Sequence, residues 1–129
     1  MIPKPDGHQD MREALRDLCG NFPPEYHRRH DEKATYPVEF IDALTEAGWL
    51  AAMIPEEYGG SGLGLTEATV VMEEINRSGG NAGHCHGQMY NMGTLLRHGP
   101  EAQKRHYLPQ IASGALRLQS MAGTEPTTG

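Results

Sequence analysis

Apolar residues return every three or four positions along most of this chain, the period of an amphipathic helix. Met11, Ala14, Leu15 and Leu18 make such a stripe and predict a helix over 10–19, ended by Gly20 and Asn21. After Pro23-Pro24, residues 25–34 are polar and predict a short, mostly solvated helix. Thr35-Tyr36-Pro37 starts a third helix, with Pro37 in the first turn, where its missing N–H costs nothing. Phe40, Ile41, Leu44 and Ala47 are its inward positions, and Gly48 stops it.

Residues 54–64 carry Pro55 and four glycines and predict a loop. Thr66 then reads as a helix N-cap, with Ala68, Val71, Met72 and Ile75 as the stripe of 66–78. Gly79-Gly80 separate it from a less regular helix within 81–98, whose inward positions are Met89, Met92, Leu95 and Leu96. The last helix begins near Glu101, an acidic residue suited to a first turn, and turns Tyr107, Leu108, Ile111 and Ala112 inward. Past Gly114 the period changes from helical to two: Leu116, Leu118 and Ser120 alternate with Arg117, Gln119 and Met121. The expected architecture is therefore all-α, a helical bundle-like domain over 1–115. A C-terminal β-strand stub of a missing domain follows over 116–129.

Composition qualifies this picture. Leu, Ile, Val and Phe together make up about one residue in six, which is sparse for an independent core; seven Met and many Ala can partly substitute. The net charge of −6, with no dense run of Lys and Arg, argues against nucleic acid as a partner. No apolar stretch approaches the roughly 20 residues that span a bilayer. The N-terminus has neither the build of a secretory signal nor that of a transit peptide, so the expectation is a cytoplasmic protein. Cys19 and Cys85 are too few for a disulfide framework and read as free thiols.

The chemically suggestive residues each have a plain alternative. The run Gly59, Gly60, Gly62, Gly64 invites a phosphate loop, but its spacing is not G-x-G-x-x-G and no Gly-Lys-Ser/Thr follows. It reads better as a connection using glycine's freedom in φ. His84 and His86 flank Cys85, yet on a helix the two rings would point about 200° apart and could not share one ion. His27 and His30 are better spaced but lack a further ligand pair, so no metal site is assigned. Cys85 as a nucleophile is weak because its neighbours His84 and His86 would not face it on a helix, and the lone Glu125 reads as a cap or turn residue rather than a general base. The residues alone stop short of an activity.

Four blocks, taken in order, resemble the N-terminal part of the acyl-CoA dehydrogenases. They are Ala47-Gly48-Trp49-Leu50 with Ile54-Pro55-Glu56-Glu57-Tyr58-Gly59-Gly60-Ser61-Gly62-Leu63-Gly64, then Met72-Glu73-Glu74-Ile75. Next come Gly99 to Lys104 with Tyr107-Leu108-Pro109 and Ser113-Gly114, and last Thr124-Glu125-Pro126-Thr127-Thr128-Gly129. The final block is similar to the start of the family's Thr-Glu-Pro-x-x-Gly-Ser-Asp flavin signature.

The resemblance implies an N-terminal helical domain, followed in the family by a β domain and a four-helix domain, with FAD bound across a subunit interface. It implies α,β-dehydrogenation of an acyl-CoA substrate, with an electron-transfer flavoprotein as acceptor and a homo-oligomer, dimer or tetramer, as the working form. The family's catalytic base falls beyond residue 129, so no catalytic residue is assigned and the fragment alone is expected to be inactive. Met121, Gly123, Thr124 and Gly129 would be cofactor-binding, and Met89, Tyr90 and Leu95 would wall the acyl pocket. Gly123 stands where the family usually has an aliphatic residue, and Thr128 where it has a smaller or amide side chain. Acyl-CoA oxidases and flavin monooxygenases share the scaffold and stay open as alternatives, as does a non-catalytic helical interaction module.

Overall fold

The structure is a computed structural model and describes residues 7–128. Among these, six α-helices follow one another: α1 (Gln9–Gly20), α2 (Pro24–Glu32), α3 (Val38–Glu46), α4 (Leu65–Arg77), α5 (Gly83–His98) and α6 (Glu101–Ala112). Two 3-10 turns, Trp49–Ala51 and Glu56–Tyr58, interrupt the α3–α4 connection. No helix among the described residues is long and apolar enough to cross a membrane.

The all-α expectation holds, and the helices that the apolar period predicts are present. Their detail differs in instructive places. Ala14 is exposed, because α1 turns Leu15 and Cys19 to the centre instead. Ala47 is exposed as well, since it caps α3 rather than extending its stripe. Gly64, not Thr66, is the N-cap of α4: its extended backbone N–H donates to the Glu67 carboxylate at 2.9 Å, which satisfies a terminal donor. Tyr107 also stays largely exposed, leaving Leu108 and Ile111 as the buried pair of α6.

The strand expected from Leu116 does not form among the described residues. Residues 117–124 make no backbone–backbone hydrogen bond with another described residue, and an isolated bridge joins Glu125 to Thr128. A strand needs a neighbour to accept its N–H groups, and none lies among the described residues. The N–H of Leu116 instead donates to the Gln110 carbonyl at 3.0 Å, closing the end of α6.

The glycine loop is structural. The N–H groups of Gly60, Ser61, Gly62 and Leu63 donate to the carbonyls of Pro55, Ala51, Ile54 and Ala52, at 2.7–3.3 Å. None of the four is left to cradle a phosphate. Gly59 takes φ = +87°, and a Cβ at Gly60 would lie 2.0 Å from the Ile54 carbonyl oxygen. Glycine is needed at both positions, for backbone freedom at one and for close approach at the other.

The α1–α4 contact is organised by a buried charge. Glu74 is 2% exposed and is reached by two arginines of α1. Arg12 Nη1 donates to Oε1 at 2.8 Å; Arg16 donates through Nε to Oε2 at 2.8 Å and through Nη2 to Oε1 at 2.9 Å. Arg12 also donates to Glu73 at 2.8 Å. The Arg16 hydrogen bonds, aided by those of Arg12, hold the Glu74 carboxyl below the usual carboxylate range despite its burial.

Removing one partner of a buried charge pair costs about 3 kcal/mol. Glu74→Gln should therefore lower the melting temperature by about 12 °C, at about 4 °C per kcal/mol. Because the native pKa is depressed, this stability is present above the ordinary carboxylate pKa and is lost as pH falls through the folded value. Thermal melts from pH 7 to pH 3 should fall more steeply for the wild-type chain than for Glu74→Gln; parallel slopes would contradict the assignment.

Candidate functional site

Helix α5 presents three sides. Cys85, Gln88, Met89 and Met92, at i, i+3, i+4 and i+7, are buried in the core. On one flank, Met89 and Tyr90 meet Met53, Leu65, Ala68 and Met72 around a groove of about 460 Å³ between α4 and α5, rimmed by His86, Arg97 and His98. On the other, Leu95 meets Tyr107, Leu116, Leu118 and Met121 around a groove of about 530 Å³ between α5, α6 and the C-terminal segment. Thr94 and His98 border both.

The three residues expected to wall an acyl pocket are thus divided. Met89 and Tyr90 face α4, whereas Leu95 stands with Met121 in the neighbouring groove. Met121 also departs from its expected alternation, since it shares a groove with Leu116 and Leu118. The backbone changes face near Gln119, which no partner strand constrains. Gly123 and Thr124 lie exposed past this groove, and a Cβ at Gly123 would meet nothing within 4 Å. The expectation for Gly129 falls outside the described residues.

The C-terminal segment is held at several points. Arg117 donates to the Asp42 carboxylate of α3 at 2.6 Å. The Tyr90 hydroxyl donates to the Gln119 carbonyl at 3.2 Å, and the Gln119 amide donates to the His84 carbonyl at 3.3 Å. Gly87 lies beneath; a Cβ there would come within 3.2 Å of the Gln119 oxygen. Spacing alone did not single out Arg117, Gln119 or Gly87. The available signal was glycine within α5, at Gly83, Gly87 and Gly93, of which Gly87 marks the close approach to Gln119.

The other chemical readings resolve against the structure. The rings of His84 and His86 do diverge: His84 packs edge-on to Tyr36, with centroids 4.8 Å apart, and His86 to Tyr90 at 5.2 Å. His27 lies against Phe40 at 5.0 Å, and burial lowers its pKa, which favours a neutral ring. Among the described residues no group of three or more His, Cys, Asp or Glu is arranged to hold a metal ion. Burial pushes the Cys85 thiol up to about 12, the opposite of an activated nucleophile. Glu125 sits in an exposed turn closed by reciprocal backbone bonds with Thr128 at 3.1 and 3.3 Å. Gln88 was missed altogether: it is 1% exposed, with its amide donating to the Leu50 carbonyl at 3.4 Å.

The family model described as "Acyl-CoA dehydrogenase, N-terminal domain" matches residues 5–115. The chain is 43% identical over 93 residues to the mitochondrial isovaleryl-CoA dehydrogenase of Pongo abelii, covering 70% of this chain and 22% of that protein. Its fold is similar to that of a glutaryl-CoA dehydrogenase solved with glutaryl-CoA, with a TM-score of 0.77 and 25% identity over 92% of this chain and 31% of that one. It is also similar to an acyl-CoA dehydrogenase from Bacillus anthracis solved with FAD, with a TM-score of 0.69 and 28% identity over 98% of this chain and 22% of that one. The chain spans between about a fifth and a third of the length of these proteins.

Both cysteines are buried and free, with pKa values raised by burial. A thiol reagent at pH 8 should modify neither in the native chain within minutes and both at once in denaturant. Rapid native labelling of Cys85 would revive it as a nucleophile.

Proposed function

The chain belongs to the acyl-CoA dehydrogenase family, and we propose that it is the N-terminal portion of an FAD-dependent enzyme that dehydrogenates an acyl-CoA thioester. The observation that carries this reading is the family match over nearly the whole helical domain, joined to a fold shared with a dehydrogenase solved with its acyl-CoA. Residues 116–129 would begin the next domain, whose strands would supply the ladder partners that this segment lacks.

The residues present fit a flavin in a limited sense. Residues 121–124 are exposed and have no backbone partner among the described residues, and Gly123 leaves free space against a planar ring. Thr124 would donate to the ring through its hydroxyl or its N–H, and Met121 would lie along it. A bound flavin accepts hydride; the protein's part is to orient it and tune its electronics. Met89 and Tyr90 would line one side of the acyl chain's path, and Leu95 would support the tail from the other groove. These apolar walls would exclude water from the thioester's carbon chain. The base that takes the α-proton is assigned to none of these residues. An electron-transfer flavoprotein as acceptor and a dimer or tetramer as the working form belong to the same proposal, as does a place in fatty acid metabolism.

The full-length protein containing this chain should purify yellow. An acyl-CoA should bleach its visible absorption, and it should pass electrons to a dye acceptor. The 129-residue chain by itself should show no such turnover. A folded full-length protein that stays colourless with added FAD would sink the reading, and rapid oxygen uptake in place of dye reduction would turn it toward an oxidase or monooxygenase.

A further inference from the structure

We infer that Tyr90, Gly87 and Gln119 form a clasp that sets the position of residues 121–124 relative to helix α5, so that Tyr90 is a positioning residue for the flavin-binding segment. The inference rests on the flavin reading above and deepens it.

Three observations meet at one place. The Tyr90 hydroxyl donates to the Gln119 carbonyl, and the Gln119 amide donates back to the His84 carbonyl, at 3.2 and 3.3 Å. Both bonds tie one residue of the segment to one turn and a half of one helix. Gly87 lies between those two helix positions and lets the segment come down: a Cβ would stand 3.2 Å from the Gln119 oxygen and 3.4 Å from its Cα. Gln119 is also where the alternation of Leu116 and Leu118 breaks, so that Met121 rather than Ser120 enters the groove beside Leu95. The clasp therefore stands at the point where the chain leaves its apolar anchorage and becomes exposed.

The tie has a functional consequence because both of its ends carry proposed contacts. Tyr90 lines the α4–α5 groove while its hydroxyl holds the segment two residues before Met121. A shift of the segment along α5 would carry Met121 and Thr124 with it, and donors aimed at a cofactor are sensitive to displacements of about 1 Å. The other tether, Arg117 to Asp42, fixes the start of the segment to α3 through a different residue and a different helix.

The test uses the full-length protein and three variants. Tyr90→Phe removes the hydroxyl and keeps the ring against His86. Gly87→Ala keeps the hydroxyl and lifts the segment. Arg117→Gln frees the other tether and serves as the structural control. Flavin affinity of the apoprotein, the visible spectrum and the reduction potential are measured beside the melting temperature. Tyr90→Phe and Gly87→Ala should each weaken FAD binding about fivefold, the effect of one lost hydrogen bond, and should shift the spectrum and the potential. Arg117→Gln should lower the melting temperature and leave spectrum and potential in place. A yellow wild type whose Tyr90→Phe and Gly87→Ala forms keep its flavin affinity, spectrum and potential overturns the clasp alone. So does an Arg117→Gln form that moves them as far as Tyr90→Phe. A folded wild type that binds no flavin overturns the flavin reading, and the clasp with it.

Discussion

A carboxylate that is 2% exposed must be met by cations, and at Glu74 this requirement fixes how α1 lies on α4. Arg12 and Arg16 are four residues apart and therefore share a face of α1. For both guanidinium groups to reach Glu74, that face must turn toward α4. Leu15, between them, then enters the core with Cys19, and Ala14 is rotated out to solvent. The register propagates through α4. Its inward Ala68, Val71 and Ile75 pack in the core, and Ala68 and Met72 border the groove against α5. The electrostatic contact thus orients the helix that carries one wall of the candidate site.

The sparse supply of large aliphatic residues finds its explanation in the same core. Ala51, Ala52, Ala68 and Ala82, together with Cys19, Cys85, Met89 and Met92, are buried beside the few Leu, Ile, Val and Phe. Small residues let the helices approach, and methionine fills the irregular remainder. The backbone does the same at Gly60, which lies directly against Ile54. The domain closes a core by bringing backbone nearer to backbone rather than by adding side-chain volume.

The helices were legible because an α-helix satisfies its own N–H and C=O groups, and its inward face leaves a local period in the sequence. Stripes such as Phe40-Ile41-Leu44 and Leu108-Ile111 needed no knowledge of their partners. Glu74 was illegible for the opposite reason. It lies three residues from Val71 and next to Ile75, on the buried side, but its charge reads as a solvated face until two arginines more than fifty residues away are brought to it. Gln88 is hidden in the same way by an acceptor in the α3–α4 connection. Thr66 was preferred as a cap on residue type, whereas the geometry lets Gly64 and Glu67 do that work. Of the candidate site, Met89, Tyr90, Leu95 and Met121 do border grooves, but their division between two grooves depends on how α4, α6 and the tail flank α5.

The C-terminal segment shows why a period of two is weaker information than a period of 3.6. Alternation states that two faces exist; it does not provide the neighbours that would hold them. With no ladder partner, Leu116 and Leu118 follow the apolar groove, and the backbone then turns at Gln119 to satisfy its carbonyl on Tyr90. What fixes this segment is therefore the Arg117–Asp42 ion pair, one hydroxyl donor, one amide and a missing Cβ on α5, not a sheet. Because α5 also walls the groove against α4, a displacement of this helix moves both grooves and the tether together. The two halves of the candidate site are coupled through one helix, although their side chains do not share a pocket.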